Sequence, residues 1–431
     1  MKIVLINHSY QVRYFYRRWQ LLAHTHPDLD VTLLAPTEYE WYKDKDYTYD
    51  GGKKLYAKVI DEANFHIRQF RAVYPQRGDW TSPDFKDIFL DIQPDIIYNV
   101  GTHQQPSLFQ VINLTKKYLP HTKVMCFSMR GPCHDLQKPL FNGSPYRYLR
   151  SIWTYFRQKH SLNYFNQNID AVFCHYPDAF ASFRKEGFTG PLYMQTQVGV
   201  NEEWFHEDIE ARKAIREKYN LGDAFVFGSA SRFTTDKGID DIINALPKEG
   251  NWKYLMMGKG SNNDNKRLAD LIQKNGLSDK VIMTGFIDWY DMARYWNAVD
   301  CAIHVPRTTS KWVETFSLAA VQPQITKKPV IGNTSGSVPY QIGMYDMIVP
   351  EGDIDALRQK LTFIMSNPAK AREIGIKMYN RTHNSFEIQH LNELFYQTIQ
   401  DVVKGIYDEK KIDMANTVSY THLTLPTICS V

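Results

Sequence analysis

Two basic residues lie close together in the segment SASRFTTDKGI, residues 229–239. Arg232 and Lys237 follow a short apolar run and precede a glycine and a stretch with helical periodicity. Cations at the carboxyl end of a strand, beside the start of a helix, can bind an anion such as a diphosphate through charge-assisted hydrogen bonds. A solvated basic loop has the same composition, so this segment alone leaves both interpretations open.

A carboxylate, Glu314, precedes the apolar run FSLAAV at 316–321. At the start of a helix a carboxylate can simply stabilise the helix dipole, by about 0.3–1 kcal/mol. Alternatively, Glu314 accepts hydrogen bonds from the hydroxyl groups of a polar ligand, while the backbone N–H groups of Ser317 and Leu318 face a phosphate. The residue types do not decide between these two roles.

The elements that must position these residues are short apolar runs that alternate with stretches of helical period. Ile239, Ile242, Ile243 and Leu246 form one face of a predicted helix, and Asp353 is the expected N-cap of another. The predicted strands are 2–6, 31–35, 95–100, 123–127 and 171–174, then 225–228, 254–257, 280–285, 301–305 and 329–332. Such alternation predicts an α/β protein with two doubly wound, Rossmann-like domains that face each other across a cleft.

The length of the chain, 431 residues, exceeds what a single hydrophobic core usually supports. We expect an amino-terminal Rossmann-like domain at 1–197 and a carboxy-terminal Rossmann-like domain at 198–385. A further helix is predicted at 386–407. The tail at 408–431 is interpreted as non-native sequence, with a genuine disordered end as the alternative.

Composition excludes several classes of partner. The net charge of +4 is mild and the basic residues are scattered, so no nucleic-acid partner is expected. Five cysteines without a C-x-x-C pair favour a reducing, cytoplasmic location over a disulfide framework or a zinc site. No segment approaches the length that spans a membrane. The D-x-D matches at 28–30, 44–46 and 353–355 are common by chance, and no catalytic metal is expected.

Several motifs in the second half occur in the order typical of one family. They are R-x4-K-G at 232–238, GFI at 285–287 and E-T-F-S-L-x3-Q-x6-P-V-I-G at 314–332. Together they resemble the second domain of family 4 retaining glycosyltransferases with the GT-B fold, also called glycosyl transferases group 1. The resemblance covers roughly residues 225–365. It implies that the domain at 1–197 lies on the acceptor side and that the domain at 198–385 binds the nucleotide-sugar. It also implies that a crossover helix at 386–407 returns to the first domain.

The resemblance implies roles for individual residues. Arg232 and Lys237 would neutralise the diphosphate of a nucleotide-sugar, which would take over the role of a metal. Glu314 would contact hydroxyl groups of the donor sugar, and the amides near Ser317 and Leu318 would lie near its phosphates. Ile287 would meet the nucleobase through its backbone.

The sequence departs from the family pattern at the second acid of E-x7-E. Gln322 stands there and keeps an acceptor oxygen for a ribose hydroxyl but loses the negative charge, so weaker or altered nucleotide binding is expected. Pro323 follows, and we expect the helix to end or kink there.

The first domain resembles the family less closely, because no glycine occurs between Met1 and Asp50. Arg130 and His134 are the candidates for a residue that faces the reacting sugar. The segment RYFYRRW at 13–19 could form a basic aromatic surface for an anionic membrane or a lipid-linked acceptor. An ordinary helix that packs its aromatic residues inward explains the same segment.

The resemblance implies a metal-independent, retaining glycosyltransferase of hexosyltransferase type. It would use a nucleotide diphosphate sugar as co-substrate, without a cofactor, and a glycan or lipid-linked acceptor in the synthesis of cell-surface polysaccharide or glycoconjugates. The expected location is cytoplasmic, with peripheral contact at the inner membrane face as an option. Alternatives are a catalytically impaired donor-binding subunit or scaffold of a glycosyltransferase complex, favoured by Gln322 and Pro323, and a sugar-nucleotide epimerase.

Overall fold

The computed structural model describes residues 1–39, 55–76, 79–101, 105–129, 143–310 and 312–407, together with 136, 138, 139 and 141. The described residues fall into two compact units. The first unit holds those of Met1–Trp41, Lys53–Gln197 and Leu391–Ile412, and the second holds those of Val198–His390.

The first unit is built on a sheet that, within the described residues, has eight strands in the order β12-β11-β10-β9-β1-β2-β6-β5. All neighbours pair in parallel except β5 with β6. The strands are β1 (Lys2–Ile6), β2 (Asp30–Pro36), β3 (Glu38–Tyr39), β4 (Leu55–Tyr56), β5 (Ile60–Asp61), β6 (Phe65–Phe70), β7 (Val73–Gln76), β8 (Asp79–Thr81), β9 (Ile96–Val100), β10 (Lys123–Ser128), β11 (Ala171–Cys174) and β12 (Leu192–Met194). The helices are α1 (Arg13–Thr25), α2 (Phe85–Ile92), α3 (Pro106–Tyr118), α4 (Pro145–Asn168) and α5 (Pro177–Lys185).

Helix α1 follows β1 without a glycine-rich turn. Asn7 ends the strand instead, and its side-chain oxygen accepts a hydrogen bond from Ser9 N at 3.1 Å. The inner face of α1 is aromatic, and the ring of Trp19 packs 5.1 Å from that of Phe395, between ring centroids. Burial of aromatic and aliphatic side chains on this face drives the packing of the helix against the sheet.

The second unit is built on a parallel sheet that has six strands in the part of the chain described here. Their order is β15-β14-β13-β16-β17-β18. The strands are β13 (Phe225–Ala230), β14 (Trp252–Met257), β15 (Val281–Gly285), β16 (Cys301–His304), β17 (Val330–Asn333) and β18 (Ile348–Val349). The helices are α6 (Ile209–Lys218), α7 (Ile239–Ala245), α8 (Asn262–Lys274), α9 (Met292–Ala298), α10 (Leu318–Ile325), α11 (Val338–Ile342), α12 (Ile354–Ser366), α13 (Pro368–Phe386) and α14 (Ile388–Lys404), whose carboxy-terminal part belongs to the first unit.

The strand order of the second unit creates a switch point between β13 and β16. From β13 the chain adds β14 and β15 on one side and then returns to add β16, β17 and β18 on the other. In doubly wound sheets, ligands bind outside the carboxyl ends of the strands at such a point. The loops that follow β13 and β16 are therefore the place to look for a site in this unit.

Each predicted strand is present, with ends that differ by a few residues. The predicted face of α7 is buried, since its isoleucines are all about 1% exposed. Asp353 caps α12, because its side chain accepts a hydrogen bond from Ala356 N at 2.9 Å. These predictions succeed because periodicity and capping depend on neighbouring residues.

The predicted end or kink of a helix at Pro323 concerns α10. The helix does not end at Pro323 itself but two residues later, at Ile325. Proline removes one backbone donor and disfavours the helical interior. Here Pro323 lies near the carboxyl end of the helix, where its carbonyl accepts hydrogen bonds from Thr326 N and Lys328 N.

No helix among the described residues is long and apolar enough to cross a membrane. Of the D-x-D matches, 44–46 lies outside the described residues. Asp30 begins β2, and the match at 353–355 belongs to the start of α12.

Candidate functional site

The loop after β13 brings Lys237 to the end of β16. Thr235–Lys237 form a single 3-10 turn, and Gly238 follows with a φ of +66°. A Cβ atom on Gly238 would lie 1.9 Å from the carbonyl oxygen of Val305, so only glycine fits at this position. The close approach of Gly238 and Val305 therefore fixes where Lys237 stands.

Backbone contacts hold this loop in place. Phe233 N donates to Lys259 O at 3.2 Å, and the Arg267 guanidinium donates to Phe233 O at 3.1 Å. Arg307 N donates to Asp236 O at 2.8 Å. The loop is thus tied to three neighbouring segments of the same unit before any ligand binds.

Lys237 and Glu314 form an ion pair in which the carboxylate is buried and the lysine is partly buried. Lys237 Nζ donates to Glu314 Oε2 at 3.0 Å, and the side chains are 13% and 9% exposed. The same ammonium group lies 4.0 Å from the centroid of the Trp312 ring, which adds a cation–π contact. The structure therefore joins two residues that are 77 positions apart in the sequence.

His304, the last residue of β16, is a neighbour of Glu314 that the sequence did not predict. Its Nε2 lies 3.6 Å from Glu314 Oε2, which is longer than an ordinary hydrogen bond. The ring is only 6% exposed, and Nε2 has no hydrogen-bond partner among the described residues. Thr234 Oγ1, in the loop after β13, is likewise buried without a partner in the described part of the chain.

The environment keeps Glu314 ionised. Burial favours the neutral carboxyl, but His304 and Lys237 outweigh this effect, and the pKa of Glu314 lies below its usual value. The site thus presents a buried carboxylate beside a partly buried lysine.

The backbone at Glu314 is positioned by the loop after β17. Glu314 O accepts a hydrogen bond from Ser337 N at 2.8 Å. Gly336 has a φ of +48°, and a Cβ atom there would lie 2.1 Å from Glu314 O. Glycine is required at Gly336 because the loop passes so close to the Glu314 backbone.

The start of α10 lies three residues after Glu314, with Ser317 as the N-cap. Ser317 N donates to Gln341 Oε1 at 2.9 Å, and Gln341 Nε2 donates back to Ser317 O at 2.9 Å. The predicted phosphate contact of the Ser317 amide would therefore have to replace this hydrogen bond. Leu318 is the first residue of the helix, where an N–H group has no acceptor within the helix.

Gln322 lies in the interior of the unit. Its side-chain oxygen accepts a hydrogen bond from Trp296 Nε1 at 3.1 Å, and the residue is 3% exposed. The Gln322 oxygen that was expected to accept a hydrogen bond from a ribose hydroxyl thus accepts one from the Trp296 indole. Ile287 follows the end of β15 and is half-buried, next to Phe286, whose side chain is 46% exposed.

The remaining candidates are placed elsewhere. Arg232 lies at the start of the loop after β13, and its side chain is exposed. Arg130 and His134 lie outside the described residues.

The segment 13–19 forms the start of α1, and it is mostly a packed helix face. Tyr14, Tyr16, Arg18 and Trp19 are buried. The Arg18 guanidinium donates to the Asn392 side chain at 2.9 Å and to the carbonyls of Thr196 and Leu391 at 2.6 and 3.1 Å. The inward-packing alternative therefore describes this helix, and the basic aromatic surface is not present there.

Among the described residues, no group of three or more His, Cys, Asp or Glu side chains is arranged to hold a metal ion. His304 and Trp312 are the site residues that the sequence analysis missed. Trp312 could have been predicted as a site residue, because it lies two positions before Glu314 in the sequence. His304 could not, because it lies in an apolar strand without a motif.

In Rossmann-like domains, ligands bind at the switch point of the parallel sheet, and here the loops after β13 and β16 place the Lys237–Glu314 pair at that point. Residues 211–381 match the model of the family described as glycosyl transferases group 1. This match confirms the resemblance to glycosyl transferases group 1 that the motifs indicated.

Solved structures share the fold over nearly the whole chain. Sucrose-phosphate synthase from Thermosynechococcus elongatus is 18% identical, and the match covers 94% of this chain and 100% of that one with a TM-score of 0.69. HepE from Anabaena, in complex with UDP-glucose, is 16% identical, with 93% and 100% covered and a TM-score of 0.63. These likenesses confirm the predicted fold class, two Rossmann-like domains of the GT-B type.

Curated relatives match over a shorter segment. The GDP-mannose-dependent alpha-(1-6)-phosphatidylinositol monomannoside mannosyltransferase of Mycolicibacterium smegmatis is 25% identical over 186 residues, 41% of this chain and 48% of the relative. The capsular polysaccharide biosynthesis glycosyltransferase CapM of Staphylococcus aureus is 25% identical over 217 residues, 48% of this chain and 54% of the relative. The chain thus matches about half the length of these curated relatives.

Proposed function

We propose that this protein is a retaining glycosyltransferase that moves a sugar from a nucleotide diphosphate sugar to a glycan or lipid-linked acceptor. The proposed setting is the synthesis of cell-surface polysaccharide or glycoconjugates. A cytoplasmic location, at the inner face of the membrane when the acceptor is lipid-linked, is part of the proposal.

The observation that carries the proposal is the Lys237–Glu314 pair at the switch point of a domain that matches the model of glycosyl transferases group 1. A partly buried lysine beside a buried carboxylate is a costly arrangement, and such pairs are frequent at functional sites. His304 Nε2 and Thr234 Oγ1, buried atoms that have no hydrogen-bond partner within the described residues, also favour a polar ligand here, because such atoms are rare in folded proteins.

The pair suggests how a donor would be held. A bound diphosphate would compete with Glu314 for the Lys237 ammonium, since phosphate oxygens accept strong charge-assisted hydrogen bonds. Glu314, released from Lys237, could then accept hydrogen bonds from hydroxyl groups of the donor sugar. Arg232, exposed at the other end of the same loop, would add a second cation to the diphosphate.

The proposed reaction breaks the bond between the anomeric carbon and the diphosphate oxygen and forms one to the acceptor oxygen. Negative charge develops on the departing diphosphate, so Lys237 and Arg232 would stabilise the transition state more than the ground state. The acceptor's hydroxyl proton would pass to the departing diphosphate. This role for the two cations is the reason to propose a reaction without a metal.

Calorimetric titration of the full chain with UDP, GDP and their common sugar conjugates tests the donor site. We expect Arg232→Ala and Lys237→Ala to weaken binding of both nucleotides and conjugates about 10-fold to 100-fold, the cost of a lost hydrogen bond to a charged group. Glu314→Gln should weaken only the sugar conjugates. Arg294→Ala is a matched control, because Arg294 is an exposed arginine of α9 that pairs with Asp291.

The proposal fails if the folded protein binds none of these nucleotides, or if Arg294→Ala weakens binding as much as Arg232→Ala. Circular dichroism of each variant separates a lost contact from a lost fold. Product analysis with a radiolabelled donor separates transfer from epimerisation, since an epimer would form without any acceptor.

A second candidate function is favoured by the position of Gln322. Its amide oxygen is bonded to Trp296 in the buried interior, and it lacks the charge of the family's second acid. A donor-binding subunit without catalysis would bind the nucleotide yet release no free nucleotide diphosphate in the presence of acceptors. Tight binding without turnover would therefore favour this candidate over the transferase.

A further inference from the structure

Helix α4 presents a row of apolar side chains to solvent. Tyr146, Leu149, Trp153 and Phe156 are 74%, 65%, 62% and 62% exposed. Their spacings of three, four and three residues place them on one face of the helix. In contrast, the buried residues of this 24-residue helix are Leu162 and Phe165, near its carboxyl end.

The same helix is strongly basic. Its cations are Arg147, Arg150, Arg157 and Lys159, and its sequence contains no Asp or Glu. The Arg157 guanidinium lies over the Trp153 ring, 4.9 Å from its centroid, so a charged group borders the apolar row directly. The helix thus combines exposed aromatic rings with positive charge along the same stretch.

This concentration is unusual on the surface of this chain. Phe141, just before α4, is also 63% exposed, so five of the exposed large hydrophobic residues lie between 141 and 156. Isolated exposed apolar side chains need no explanation, but a contiguous apolar row rimmed by charge marks an interaction surface.

We propose that the exposed face of α4 docks on an anionic lipid bilayer. Trp153, Phe156, Leu149 and Tyr146 would enter the boundary between headgroups and acyl chains, where amphipathic aromatic rings are favoured. The arginines would reach the lipid phosphates, because a guanidinium forms bidentate hydrogen bonds with phosphate and carries its charge at any physiological pH. This surface replaces α1, whose aromatic residues are buried, as the place where the chain meets a membrane.

The positive charge of α4 favours an anionic bilayer over a second copy of this chain as the partner of its exposed face. In a two-fold contact through α4, each patch would face its own copy, so four cations would face four cations without an acid on either helix. Like charges across an interface oppose association. An anionic bilayer supplies both an apolar layer and the compensating negative charge.

Co-sedimentation of the full chain with vesicles tests this proposal. We expect binding to vesicles of phosphatidylcholine mixed with phosphatidylglycerol, and much weaker binding to phosphatidylcholine alone. Arg150→Gln with Arg157→Gln should weaken binding to the anionic vesicles roughly 30-fold, because each basic residue near the surface contributes about a factor of five. Trp153→Ser with Phe156→Ser should reduce binding to both kinds of vesicle.

Control variants and an independent readout keep the outcomes distinct. Phe363→Ser removes a ring of α12 that is 48% exposed and should leave vesicle binding unchanged. Nucleotide binding by all α4 variants should equal that of the unmodified chain, so a failure of the donor site would be seen separately. Equal binding to neutral and anionic vesicles, or none to either, would overturn the proposal. So would a dimer in analytical ultracentrifugation that Trp153→Ser with Phe156→Ser abolishes.

Discussion

Replacement of Glu314 tests whether the buried ion pair is as costly to break as its geometry indicates. Loss of one partner of a buried pair typically costs about 3–5 kcal/mol, because the other charge remains buried. In Glu314→Ala, the Lys237 side chain, which is already 13% exposed, recovers part of its hydration and so lowers this cost. We therefore expect the second unit to lose about 2–4 kcal/mol of unfolding free energy. Glu314→Gln should lose about half as much, since an amide oxygen can still accept from Lys237.

The assay should report on the second unit alone, because a chain with two units need not unfold in one step. Hydrogen exchange of peptides from β13 and β16, measured across a urea series, gives the opening free energy of the strands that carry the site. Glu207→Ala is the matched control. Glu207 pairs with Lys327 at 2.6 Å, but the two side chains are 41% and 38% exposed. Its loss should cost only about 0–1 kcal/mol.

If the opening free energies of Glu314→Ala and Glu207→Ala differ by less than about 0.5 kcal/mol, the expected cost of breaking the ion pair is refuted, since surface substitutions usually differ by this much. It would mean that the Lys237 ammonium reaches solvent once its partner is removed. An equal loss in Glu314→Gln and Glu314→Ala would show that the charge, and not the hydrogen bond, sets the cost.

Three further predictions follow from single contacts. Because the pKa of Glu314 is lowered in the folded chain, its contribution to stability is present above the unfolded value of about 4.3 and is lost as pH falls through the folded value. Acid unfolding of Glu314→Gln should therefore depend less steeply on pH below about 4. Gly336→Ala should lower Tm more than Gly276→Ala, since only the first Cβ would meet backbone. Arg18→Met should cost the first unit about 3 kcal/mol, seen as faster exchange in β1, because buried acceptors, including the Asn392 side chain, lose their donor.

Each of these has a clear contrary outcome. Parallel acid-unfolding curves for Glu314→Gln and the unmodified chain would show that Glu314 does not titrate with folding. Equal Tm values for the two glycine variants would mean that the loop after β17 moves away from Glu314 at little cost. Unchanged exchange in β1 on Arg18→Met would show that the Arg18 hydrogen bonds carry little stability.

Local sequence determined much of the fold. Ten strands of the two sheets were predictable because a strand buried on both faces of a parallel sheet is a short apolar run. By contrast, β5, β6, β12 and β18 were not predicted, and in β6 the sequence FHIRQF mixes buried and exposed residues. The place of β6 in the sheet depends on pairing with β2, which is distant in sequence.

The sequence also indicated the family and the main candidate site residues, because the spacing from Arg232 to Lys237 and the residues after Glu314 form ordered motifs within short segments. It could not determine that Lys237 pairs with Glu314. It also could not predict His304 as a neighbour of the carboxylate. Those contacts arise because β13 and β16 are adjacent in the sheet although β14 and β15 lie between them in the chain.

Exposure was decided by tertiary structure alone. Segment 13–19 and helix α4 both mix aromatic and basic residues, and nothing in composition separates them. One is buried, with Arg18 bonded to residues hundreds of positions away, and the other presents Trp153 and its neighbours to solvent. Periodicity shows that a helix has an apolar face. Whether that face is covered depends on how segments distant in sequence pack against it, so burial cannot be predicted from the residues next to it in the sequence.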